Sequence, residues 1–203
     1  GLYYISILVT TAGIAFHSIA SILHLFVQME DKIGTTFLAK VGWIMNVTGF
    51  SMVLYSRLNL VVQDHSVLRI ALAVIIVDAV LLHTPIVVFS FGLSTPSYKI
   101  WIPYMAYMER IQIVGFTLQD LIFSSVYTWA SYKLLSGGYS LRRRNLFIAL
   151  LFAQTFGFVS DMAMIILDYE DMFTLKASLH PFIYAIKIKI EFLVLNQLSS
   201  LVQ

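Results

Sequence analysis

Three observations predict an all-α, polytopic transmembrane helical bundle. Six long apolar stretches follow one another along the chain with short polar breaks between them, and each reaches the roughly 20 residues that cross a bilayer core of about 30 Å. Hydrophobic residues make up 59% of the 203 residues and charged residues 12%, where soluble domains carry about 45–50% and about 25%. The alternating strands of about 9–11 residues that a closed barrel would need do not occur, and helices are the other way to satisfy every backbone group in lipid.

The six helices are expected over 2–27, 37–62, 68–93, 104–135, 145–167 and 176–202 as a single transmembrane domain. The first ends at the polar run Gln28-Met29-Glu30-Asp31-Lys32, the second at Gln63-Asp64-His65 and the third at Ser94-Thr95-Pro96-Ser97. Pro85 lies inside the third; it removes a backbone donor, so a kink and a freed carbonyl are expected beside His83. The fourth is long and stops at Ser136-Gly137-Gly138, and the fifth stops at Asp168-Tyr169-Glu170-Asp171. Aromatics mark the interfaces, with Tyr3 and Tyr4 at one end and Tyr98, Trp101 and Tyr104 at a connection.

Lys and Arg near the helix ends set the expected orientation. The second and fourth connections share a side, and there lie Arg57, Arg69, Lys133, Arg142, Arg143 and Arg144. Lys32, Lys40, Lys99 and Lys176 on the other side are diluted by Glu30, Asp31, Asp168, Glu170 and Asp171. The arginine triplet places the second and fourth connections, and the C-terminus, in the cytoplasm. Because the chain opens on Gly1 and runs straight into apolar sequence, a seventh helix is expected upstream. The formal charge of +2 and the lack of basic stretches interleaved with aromatics argue against nucleic acid as a partner. With no cysteine, thiolate zinc sites and disulfides are excluded within these residues.

An ionisable side chain in the bilayer core costs several kcal/mol, roughly 2.5–3.5 on insertion scales, so it turns toward the bundle interior. At helical spacing the first helix aligns Thr10, Gly13, His17, Ser21 and His24, and the second Gly42, Asn46 and Gly49, with Arg57 two turns on. The third holds Asp78, His83 and Pro85. The fourth aligns Glu109, Gln112, Phe116, Gln119 and Asp120, the fifth Gln154, Gly157, Asp161 and Asp168, and the sixth His180, Tyr184, Lys187 and Glu191. Convergence of these stripes would make a ligand or proton pocket of Asp78, His83, Asp120, Lys187, Glu191 and Gln119. His17, Asn46, Glu109, Gln112 and Asp161 would support it. Lys187 and Glu191 are spaced to pair along their own helix. The bland alternative is interhelical glue, in which the same groups only neutralise one another. Arg57, Arg142, Arg143 and Arg144 are the expected cytoplasmic contacts.

Several segments together carry a resemblance: Gly1-Leu2-Tyr3-Tyr4; Val53-Leu54-Tyr55-Ser56-Arg57-Leu58-Asn59-Leu60-Val61; Ile75-Ile76-Val77-Asp78-Ala79 with Leu82-His83-Thr84-Pro85; Met108-Glu109-Arg110-Ile111-Gln112 with Gly115, Phe116 and Gln119; and Tyr184-Ala185-Ile186-Lys187-Ile188-Lys189-Ile190-Glu191-Phe192 with Val194-Leu195-Asn196. Over nearly its whole length the chain is similar to a fungal family of seven-helix integral membrane proteins classed as a domain of unknown function. The resemblance implies a fungal source, a helix ahead of the Gly-Leu-Tyr opening, and a family pattern that includes Arg57, Asp78, His83, Glu109, Gln112, Lys187 and Glu191. It implies no ligand or activity.

Function is therefore ranked from the residues. A receptor- or sensor-like bundle with a midplane polar pocket stands first, with the lipid bilayer as its surroundings and a small ligand and a cytoplasmic protein as expected partners. Tyr55-Ser56-Arg57 lies where receptors carry an acid-Arg-Tyr switch, but the preceding acid is missing, which leaves fold-level analogy. A proton-coupled transporter or channel stands second, although no internal repeat or matched pair of broken helices supports it. Below these come a retinal-type bundle on Lys187 or Lys189, and a zinc-dependent intramembrane hydrolase on His17, His24, His83 or His180. The latter lacks the His-x-x-x-His spacing such helical sites use. No catalytic residue, metal site or cofactor is assigned, and a non-enzymatic role is expected.

Overall fold

The computed structural model describes residues 2–26, 32–62, 64–135, 141–170 and 172–202. Among these residues the backbone is helical almost throughout and contains no strand. The helices are α1 (Leu2–Phe26), α2 (Lys32–Val61), α3 (His65–Asp78), α4 (Thr84–Leu93), α5 (Tyr98–Leu135), α6 (Leu141–Tyr169) and α7 (Phe173–Val202). A single π-helical turn, Ala79–His83, joins α3 to α4, so the seven helices make six rods.

The π turn is the local consequence of Pro85. Proline has no N–H to return to the carbonyl four residues back, and its ring crowds that carbonyl. The wider turn just ahead of it absorbs the conflict without ending the rod. It also changes which residues face inward: the buried positions run Leu68, Ala71 and Ile75 before the turn, then His83, Ile86 and Ser90 after it. At the other end of the rod, Asp64 caps α3, accepting a hydrogen bond from the Ser66 N–H at 2.8 Å. Proline is tolerated differently in α5, where Pro103 sits near the start of the helix. The carbonyl it leaves free lies in an exposed first stretch, so α5 begins at Tyr98, ahead of the expected start at 104.

Successive rods run antiparallel. One end of the bundle carries the α2–α3 and α5–α6 connections, and the other carries the α1–α2, α4–α5 and α6–α7 connections. Four helical stretches are long and apolar enough to cross a membrane: Leu2–Leu23, Ile33–Asn59, His65–Leu93 and Phe147–Tyr169. The other two rods hold charges mid-length, Glu109, Arg110 and Asp120 in α5 and Lys187, Lys189 and Glu191 in α7. Outward positions are oily: Ile5, Leu8, Ile19, Ile70, Val80, Leu118, Val159 and Phe182 are all exposed. Interior positions include Arg57, Asn46, Gln119, Lys187 and Glu191. Apolar surface outside and charge inside is the arrangement lipid selects, because water would expel the first and solvate the second.

α1 and α2 approach most closely, and their stripes form the seam between them rather than a pocket. A Cβ on Gly42 would lie 2.9 Å from the Gly13 carbonyl oxygen, so neither glycine has room for a side chain. Small residues permit this approach, and van der Waals contact then holds the pair in lipid. Asn46 is fully buried beside the seam. The main apolar cluster, with Phe50, Leu54, Leu58, Phe123, Tyr127 and Leu150, fills the bundle toward the α2–α3 end. A smaller one, Trp43, Val47, Ile86 and Met105, fills it toward the other end.

Candidate functional site

A cavity of about 170 Å³ opens between the rods on the side of the α1–α2 connection. α5 supplies one wall with Glu109, Gln112, Phe116, Thr117 and Asp120, three- and four-residue steps that keep one helical face toward it. α1 and α2 add His17, Lys40 and Trp43, α6 adds Asp161, and α7 adds His180 and Tyr184. A second cavity of about 30 Å³ continues the line inward; Gln154, Lys187 and Glu191 border it. Asp120 and Asp161 line both.

The junction is a buried ionic cluster. Lys187 Nζ donates to Asp161 Oδ1 at 2.6 Å and stands 3.8 Å from Asp120 Oδ2. The lysine is 3% exposed and the aspartates 13% and 15%. Gly157, one turn before Asp161 on α6, lies beside the lysine stem, and a Cβ there would meet Lys187 Cε in ordinary contact at 3.8 Å. The ammonium also lies over Phe50 and Tyr184, 5.2 and 5.3 Å from the ring centres. These rings hold it by cation–π attraction. One turn further along α7, Glu191 pairs with Arg57 of α2. The Arg57 guanidinium lies 4.1 Å from the centre of the Tyr127 ring.

Two expectations are corrected here. Glu191 does not pair with Lys187 along α7; each reaches a different neighbour, Glu191 to α2 and Lys187 to α5 and α6. Interhelical partners with full geometry outcompete a local i, i+4 contact worth only about 0.2–0.5 kcal/mol. Arg57 is not a cytoplasmic contact, because it is 1% exposed and enclosed by Glu191 and Tyr127. Arg144 is exposed at the start of α6, and the side chains of Arg142 and Arg143 lie outside the described residues.

The other expected pocket residues divide. Asp120 lines both cavities and Lys187 and Glu191 the smaller one, whereas Asp78, His83 and Gln119 line neither. Asp78 is half-exposed at the end of α3, among the outward-facing Ile76, Val77, Val80 and Leu81, with no hydrogen bond or ion pair among the described residues. His83 Nε2 shares a hydrogen bond of 2.9 Å with Thr48 Oγ1 and packs against Trp43 and Phe116, with ring centres 4.7 and 5.2 Å away. It supports two aromatic walls from behind. Gln119 Nε2 donates to Ser51 Oγ at 2.8 Å and so ties α5 to α2. One residue on a helix is a turn of about 100°, which separates it from its neighbour Asp120. Of the supporting stripe, His17, Glu109, Gln112 and Asp161 line the larger cavity, and Asn46 does not. His17 Nδ1 donates to the Ala39 carbonyl at 3.3 Å; the His24 side chain lies outside the described residues.

Trp43, Lys40, Thr117 and Met164 line the cavity without having been anticipated. A search for polar stripes passes over an apolar aromatic, and Lys40 reads in sequence as an interfacial charge. Phe116, His180 and Tyr184 did lie on the stripes, and their spacing with Asp120 and Lys187 was the available signal. Among the described residues, no three His, Asp or Glu side chains gather in a way that could hold a metal ion.

The family described as Domain of unknown function (DUF7703) matches residues 1–203, the whole chain. No curated protein and no solved structure matches it.

Proposed function

The chain belongs to the DUF7703 family, and from that premise we propose that it is a multi-pass integral membrane bundle of receptor- or sensor-like design. All six rods cross the bilayer, α5 and α7 with their charges turned inward. The arginine-rich end is cytoplasmic, which the charge distribution of the connections supports. A small molecule enters the larger cavity from the opposite side. The observation that carries this reading is the placement of two ionic contacts on one helix. Lys187 holds the floor of the cavity through Asp161 and Asp120, and Glu191, one turn away on α7, holds Arg57 on α2. A ligand that draws on the aspartates loosens their grip on Lys187 and biases α7, and α7 carries the change to the Arg57 contact. A cytoplasmic protein would read that end, where Arg144 is exposed.

The test compares small molecules that co-purify with the wild-type protein and with Ile113→Trp, which puts an indole into the larger cavity that Ile113 lines. Mass spectrometry should find species held by the wild type and missing from the variant. Identical profiles would remove the ligand reading.

A second reading has its own support: Asp120 and Asp161 border both cavities, so protons could pass along carboxylates toward Glu191. Proteoliposomes with an imposed pH gradient would show flux lost in Asp161→Asn; a wild type with no flux removes this alternative. A retinal-type bundle draws less support, since Lys187 does not line the larger cavity and Lys189 is exposed.

A further inference from the structure

We propose that the larger cavity binds a small organic cation, held between the Asp120 and Asp161 carboxylates and the Trp43, Phe116 and Tyr184 rings. The inference rests on the reading of this cavity as a ligand site and adds the ligand's charge and size.

Charge comes first. Two carboxylates, Asp120 and Asp161, line the cavity and share one ammonium, Lys187. Lys187 touches the two aspartates from behind, through the smaller cavity, and does not line the larger one. At the junction two negative charges therefore meet one positive. An uncompensated charge taken out of water costs several kcal/mol, roughly 3–5 when a buried partner is removed. A monovalent cation supplies the missing partner, an anion is repelled, and a neutral molecule leaves the imbalance. Asp120 is the looser of the two aspartates, 3.8 Å from the lysine against 2.6 Å for Asp161, and so has the greater capacity left to give.

The walls are of matching chemistry. Trp43, Phe116 and Tyr184 all line this space, and aromatic faces bind ammonium groups through their quadrupoles. Tyr184 and Trp43 already take a lysine each, Lys187 at 5.3 Å and Lys40 at 5.6 Å from the ring centre.

An independent observation also points to an occupant. Gln112 and Thr117 are 8% and 6% exposed, line the same cavity, and have no hydrogen-bond partner among the described residues. Buried amides and hydroxyls are nearly always satisfied. These two would meet a polar group on the ligand or the waters around it. Size completes the description: a cavity of about 170 Å³ compares with the roughly 150 Å³ space that admits benzene, so the ligand has about six to eight non-hydrogen atoms.

The experiment is calorimetry on the full chain in lipid nanodiscs with two matched pairs of probes. Choline is set against its neutral twin 3,3-dimethylbutan-1-ol, and isoamylamine against isoamyl alcohol. At least one cation should bind about tenfold more tightly than its twin, with Asp120→Asn removing about that factor for the cation alone. Phe116→Leu, which leaves the ionic cluster intact, should cost the cation severalfold and the alcohol nothing. Alcohols that bind as tightly as their cations overturn the cation assignment while keeping the cavity as a ligand site. Absence of binding by all four probes overturns it as well. The ligand reading itself falls only if Ile113→Trp also leaves the co-purifying molecules unchanged.

Discussion

Arg57 of α2 and Glu191 of α7 form an ion pair almost sealed from their surroundings, with the arginine 1% and the glutamate 7% exposed. Tyr127 of α5 covers the guanidinium at 4.1 Å, so three rods meet at this contact. Removing one member leaves the other buried without compensation, a cost of about 3–5 kcal/mol. Glu191→Gln and Arg57→Ala should each lower thermal stability in detergent by that order. The double variant Arg57→Met, Glu191→Met should recover most of the loss, because apolar side chains of similar size fill the same space. If the single and double variants melt alike, the pair is not what couples α2 to α7.

The same logic separates the aspartates of the Lys187 cluster, Asp120 and Asp161, from Asp78. Asp161→Leu removes the nearer partner of Lys187, whose Nζ lies 2.6 Å from that carboxylate and 3.8 Å from Asp120, and should cost about 1.5–3 kcal/mol, the worth of a hydrogen bond to a charged group. Asp78→Leu removes a half-buried polar group flanked by exposed apolar residues. It should leave the melting temperature unchanged or raise it, since intramembrane charge without a partner is unfavourable. A marked loss of stability on Asp78→Leu would show that this carboxylate has a partner in the membrane.

Contact between α1 and α2 depends on the absence of side chains at Gly13 and Gly42. Gly42→Ala should destabilise by about 1–3 kcal/mol through overpacking, despite the better helix propensity of alanine. Thermal unfolding in matched micelles measures it. A neutral result would mean that the two backbones can part at little cost.

Thr48 and His83 join α2 to the π turn through a hydrogen bond of 2.9 Å. His83→Phe keeps the ring against Trp43 and Phe116 but removes that bond. A double-mutant cycle with Thr48→Val should give a coupling of about 0.5–1.5 kcal/mol. Additive losses would mean that the ring is held by packing alone.

Much of the fold is legible in the residues. Long oily stretches with polar breaks define six rods, because lipid leaves a spanning backbone no partner but itself. Charges such as Lys187, Asp120 and Asp161 announce an interior, because the alternative is hydrocarbon. Pro85 signals an irregular turn, though not that it would be a π turn. Spacing along one helix shows which residues share a face; it carries no information on which neighbour that face meets. Lys187 and Glu191 share a face of α7, yet one looks toward α5 and α6 and the other toward α2. That division, the burial of Arg57, and the cavity walls supplied by Trp43 and Thr117 follow from how the rods are rotated and tilted against each other. Such angles arise from the summed packing of side chains on several helices at once, and no single stretch of the chain encodes them.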